Sequence, residues 1–225
     1  MSIIEVLVAS GIFMLLTTMI ASVAILGLRT STGMQVRLDN STQGDVGMAA
    51  SGKVLRTAVL PDQLDAQSCD GCADTAIVQA SSTRVTFYAN LDNTGQGPSL
   101  TTLEVLQDPQ ASGTAILRQT TIPPTPSGNG HYRFCNPATE PTCVVRVRTL
   151  ARGLIWPTAA VFTYYDFDGL RISGTSIASA DLPRVSSADI AITVQSRPGS
   201  SYPTATTLQR VRLPNADINV LVEAS

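Results

Sequence analysis

Charge is scarce in this sequence. Of 225 residues, 14% are Asp, Glu, Lys or Arg; lysine occurs once, at Lys53, and histidine once, at His131. The formal net charge is −2, so there is no concentrated basic face of the kind that holds nucleic-acid phosphates. A lone histidine excludes His-rich metal sites. It also leaves any Ser/His/Asp array dependent on one residue, with no nucleophile-elbow glycine pattern in the chain. A glycine-rich phosphate-cradling loop is missing too. His131 therefore reads as a surface or loop residue, and neither enzyme activity nor a cofactor is expected.

The sequence is rich in apolar residues at its start. From Ile3 to Leu28, Glu5 is the only charged residue, and Arg29 marks the far end. As a helix this run is about 39 Å long at ~1.5 Å per residue, and about 20 apolar residues suffice to cross a bilayer. It lacks a basic stretch before it and a small-residue cleavage site after it, so an ordinary secretory signal fits poorly. A plain membrane anchor has no use for Glu5: a carboxylate in the hydrocarbon costs roughly 2.5–3.5 kcal/mol and marks function.

Residues 29–60 contain no proline, and Pro61 ends the run. Met34 with Leu38, and Val54 or Leu55 with Ala58 or Val59, share helical faces. Gly33, Gly44, Gly47 and Gly52 weaken the pattern by about 1 kcal/mol each, but packing against a domain holds what propensity does not. The spacing thus predicts one continuous helix, with a first part (1–28) that needs a membrane or other helices around it and an amphipathic continuation (29–60). A β-rich head follows at 61–225. In the head, short runs are broken by Gly, Pro, Asn and Asp. Strands are expected at 76–80, around Val85 and Phe87, and at 101–107, 113–120, 160–165 and 205–213. Val145 and Val147 alternate with Arg146 and Arg148, and Ile190, Ile192 and Val194 alternate as in a half-buried strand. IPPTPSGNG (122–130) reads as a mobile loop. The expected fold class is α+β, a long N-terminal helix against a mostly antiparallel sheet.

The four cysteines form two close pairs, Cys69 with Cys72 and Cys135 with Cys143. A four-thiolate zinc site needs tighter spacing in the second pair, and exported cysteines oxidise, so disulfides are the stronger reading. Three connectivities are open, of which the local one minimises loop closure. A redox role for CDGC lacks its usual strand–helix context. NLDNTG (90–95) and DFDG (166–169) resemble calcium loops only loosely, since the twelfth position of the first is Thr101 rather than glutamate. Hairpin turns explain both more simply. Arg146, Arg148 and Arg152 are the one local basic group. They read as the solvent face of an edge strand before they read as a nucleic-acid patch.

SIIEVLVAS is similar to the mature N-terminus of the type IV pilin family, in which glutamate occupies position five. VLRTAVLP (54–61), ARGLIWPTAAVFTYYDFDG (151–169), DIAITV (189–194) and QRVRLPN (209–215) resemble the larger minor pilins and J-type pseudopilins. The resemblance implies a leader removed by a prepilin peptidase, with Met1 as the processed and N-methylated residue. It implies a single-pass inner-membrane protein that is extracted by a membrane assembly platform into a pilus or pseudopilus. The head would then be extracytoplasmic. The implied partners are other pilin and minor pilin subunits, the peptidase, the platform and, before assembly, membrane lipid. In a dry filament core, Glu5 would neutralise a neighbour's terminal ammonium, an unpaired charge there being strongly unfavourable. Ile3, Ile4, Val6, Leu7 and Val8 would pack against adjacent helices. Adhesion, DNA binding on the filament and a membrane-anchored exoenzyme are the competing readings.

Overall fold

The computed structural model describes residues 2–63, 68–91, 97–157, 160–195, 197, 199 and 203–216. Met1, Asp92 and Thr94, which the sequence reading singled out, lie outside them. A single helix, α1 (Ile3–Leu55), runs through the apolar segment and into the head. It stops five residues before the expected end. Arg56 caps it, its N–H donating to the Gly52 carbonyl at 3.1 Å. The Val59 N–H then donates to the Tyr88 carbonyl at 3.0 Å, and Ala58 forms a bridge with Ala89. Pairing with the sheet, rather than Pro61, ends the helix.

The head is antiparallel. Strands β1 (Ile77–Ala80), β2 (Arg84–Ala89), β3 (Ser99–Gln107) and β4 (Thr114–Ile122) form a meander, and β4 pairs with β7 (Arg146–Ile155). Strand β10 (Ser187–Val194) meets β7 at Leu154–Val194 and lies beside β8 (Phe162–Tyr165), with β9 (Arg171–Ile172) paired to β8. The other edge of β10 carries β11 (Ala205–Arg212). Alternation holds on β10, where Ile190, Ile192 and Val194 are buried and the residues between them face outward.

Helix α1 covers β7, β10 and β11 with a stripe recurring every three or four residues: Val36, Asn40, Gly44, Gly47, Met48, Ser51, Gly52 and Leu55. Three of the glycines that weaken the helix locally are thus its contact points. A Cβ on Gly44 would stand 3.1 Å from Thr207 Oγ1, and one on Gly52 would stand 3.0 Å from Gln209 Oε1. Polar contacts complete the seat. Asn40 Nδ2 donates to the Pro203 carbonyl at 3.2 Å, and Thr207 Oγ1 donates to Asp45 Oδ1 at 3.1 Å. Leu55, Phe87, Leu103, Leu117, Leu154 and Ile190 are fully enclosed in the core beneath.

Three sequence expectations change. The loop expected at 122–130 contains β5 (Thr125–Gly128), paired with β6 (His131–Arg133). Asn129 at φ 52° and Gly130 at φ 77° make the tight turn between them. Val147 is exposed beside Arg146 and Arg148, so the alternation there marks no buried face. Arg152 is no free member of a basic patch, because its guanidinium reaches the buried Asp108 carboxylate at 3.1 Å. DFDG is a turn. Asp166 Oδ1 accepts from the N–H groups of Asp168 and Leu170, and Oδ2 accepts from Arg184.

Candidate functional site

The first half of α1 is exposed and, among the described residues, packs against no other element. Burial begins at Val36, so about 48 Å of helix stands clear of the head at ~1.5 Å per residue. Ile3, Ile4, Val6, Leu7 and Val8 are all exposed, Ile3 by 82%, and the apolar surface continues through Phe13, Leu16, Ile20 and Leu28. This helix is long and apolar enough to cross a membrane.

Its few polar groups are satisfied from within. Ser10 donates to the Leu7 carbonyl, Thr17 to Phe13, Thr18 to Leu15 and Ser22 to Met19, at 2.7–3.0 Å. Hydroxyls bonded back onto their own helix carry little polarity to the surface, as a hydrocarbon environment requires. The N-terminus is closed reciprocally. The Ile4 N–H donates to Ser2 Oγ at 3.3 Å, and the Ser2 N–H donates to Glu5 Oε2 at 3.1 Å. The sequence singled out Glu5 as a charge awaiting a partner. In the single chain it is also the closing glutamate of a capping box, third in the helix after the Ser2 cap, a role that the Ser-x-x-Glu spacing could have disclosed. Glu5 Oε1 is left for a further contact at the tip of the exposed helix.

The cysteines occupy the other notable region. Cys69 is joined to Cys72 and Cys135 to Cys143, each with Cα atoms 5.5 Å apart. This is the local connectivity. Both loops hang on β6, the first through Tyr132, which is fully buried and donates its hydroxyl to the Pro61 carbonyl at 2.8 Å, and the second through Arg133. The Asp70 N–H donates to the Tyr132 carbonyl at 2.8 Å, fixing the first loop. In the second, Arg133 grips Glu140 with two 2.8 Å bonds, and Asn136 N–H adds a third at 3.1 Å. That guanidinium, followed by the backbone donor, lowers the Glu140 carboxyl to about 2.

His131 lies on β6, half exposed, with Nδ1 3.2 Å from Asp70 Oδ1, while Ser127 donates to Asp70 Oδ2. The carboxylate stands between serine and histidine, so the histidine does not rest on the serine hydroxyl. Among the described residues no three His, Cys, Asp or Glu side chains group as metal ligands. On the outer sheet surface Arg210 bonds Asp189 in bidentate fashion at 2.7 and 2.9 Å and lies 3.9 Å over the Tyr165 ring. The Arg210 hydrogen bonds hold Asp189 below the usual carboxylate range. Among the described residues the exposed half-helix is the large apolar surface suited to a non-aqueous partner. Compared with known proteins, the chain matches no protein-family model and no curated sequence.

Proposed function

We propose that this chain is a minor structural subunit, a minor pilin or pseudopilin, of a type IV pilus-like or type II secretion-like filament. The supporting observation is one rigid helix whose second half is seated in a β-sheet head and whose first half is apolar and uncovered. A simple anchor needs a span, but it does not need a carboxylate at the span's tip. In this reading the bare half dwells in the bilayer and then moves into a core of neighbouring helices. There Glu5 receives a neighbour's terminal ammonium, and Ile3, Ile4, Val6, Leu7 and Val8 pack laterally. The charge pair selects register, because a misplaced subunit leaves an uncompensated charge in a dry core. The resemblance to J-type subunits favours a place near the tip, where the subunit primes or caps assembly.

Two measurements test this. Mass spectrometry of the N-terminal peptide from native membranes is expected to give a methylated Met1. A longer, unmodified N-terminus would overturn the processing step. Sheared filaments probed by immunogold are expected to carry the chain, and Glu5→Ala is expected to lower its abundance there while leaving membrane levels unchanged. Normal incorporation of Glu5→Ala would sink the charge-pair mechanism.

A further inference from the structure

Where α1 passes β7, a groove of about 430 Å³ opens between Lys53 on the helix, Arg146 and Arg148 on β7, and Gln119 on β4. Leu91 and Val147 are the larger apolar residues of its lining, and Val147, whose side chain alternates with those of Arg146 and Arg148, is 59% exposed. No carboxylate lines it among the described residues. Several other arginines of the head sit on acids: Arg118 on Glu104, Arg133 on Glu140, Arg184 on Asp166 and Arg210 on Asp189. Lys53 and Arg148 form no ion pair among the described residues. Among the described residues the strand beside them is open as well. Over Arg146–Thr149 the described pairing of β7 is to β4 alone; on its other side the described contacts lie further along, at Leu154, which pairs with Val194, and at Gly153, whose carbonyl accepts from the Gln195 N–H.

We propose that this groove binds an acidic, extended peptide segment of a partner protein. Carboxylates would reach Lys53 and Arg148, an apolar side chain would cover Val147, and the peptide backbone would run along the β7 edge. Nucleic acid fits less well. Among the described residues no aromatic ring lines the groove for base stacking, and so few cations neutralise few phosphates. The inference stands apart from the filament reading, because it concerns the head surface and uses nothing of residues 3–28.

The test uses the full chain in detergent and a fluorescent hexapeptide of alternating glutamate and valine. Saturable binding is expected, weakened about tenfold or more by K53E with R148E and by added salt, and unchanged by R171E, which does not line the groove. V147S is expected to weaken it several-fold without altering its salt dependence. The proposal is overturned by an absence of saturable binding, or by equal binding to K53E/R148E. It is also overturned if an oligodeoxynucleotide of equal charge binds more tightly than the peptide. Equal affinity of a glutamate–serine peptide would reduce the site to charge alone and overturn the apolar contact.

Discussion

A Cβ placed on Gly47 would stand 2.5 Å from the Cβ of Ala151. Helix α1 and strand β7 therefore meet at a separation that only glycine permits. On the exposed part of the same helix, Gly11 and Gly27 have nothing within 4 Å. The residue type that serves as a spacer at one end has no packing role at the other.

Gly47→Ala sets the two effects in opposition. Helix propensity gains about 1 kcal/mol, while forcing a methyl against Ala151 costs about 1–3 kcal/mol. Net destabilisation of the head is expected, read as a lower urea midpoint in detergent. Gly27→Ala, with open space around it, keeps the propensity gain without the clash and is expected not to lower that midpoint. An equal response at both positions would remove the spacing argument.

Removal of residues 1–28 is expected to yield a soluble, folded, disulfide-containing monomer. The deletion takes away the exposed apolar surface and leaves the seat from Val36 to Leu55 intact. Size-exclusion chromatography and circular dichroism under oxidising conditions read the outcome. Aggregated, unfolded protein would mean that the head depends on the exposed half.

The Glu140 contact has a defined acid limit. Its folded value, about 2, lies below the ordinary value of 4.5. The stabilisation is thus complete above about 4.5 and is lost as pH falls toward 2. Amide exchange at Asn136, whose N–H donates to Glu140, is expected to stay slow to well below 4 and then rise. Glu140→Gln is expected to abolish that acid transition. An unchanged profile in the variant would place its cause elsewhere.

The disulfides give a chemical count. No thiol is expected to react in the unfolded, unreduced chain, since no described cysteine is free, and all four are expected to react after reduction. Replacing Cys135 and Cys143 together by serine should cost about 2–3 kcal/mol, the closure entropy of a short loop. Free thiols before reduction would contradict the pairing.

Much of this was legible along the chain because the signals are local. The run from Ile3 to Leu28 exceeds a bilayer by length and composition alone. Ile190, Ile192 and Val194 announce a half-buried strand by their spacing. The expected strand at 205–213 corresponds closely to β11 (Ala205–Arg212). Alternation alone said less at Val145 and Val147: β7 begins at Arg146, and Val147 on it is exposed. Periodicity says that one side of a strand is apolar, but it cannot say whether anything lies on that side.

The sequence by itself determined a long helix with a membrane-length apolar half, a β-rich head after it, and a carboxylate at position five where local composition gives no reason for one. Tertiary structure decided that α1 stops at Leu55, because Val59 finds Tyr88 on β2. It decided that Gly44, Gly47 and Gly52 face the sheet, and that Cys69 joins Cys72 while Cys135 joins Cys143. It also turned 125–133 into a hairpin around the buried Tyr132. The division has one physical reason. Helix and strand preferences and transfer free energies act within a few residues, whereas close approach, pairing and burial depend on segments far apart in the chain.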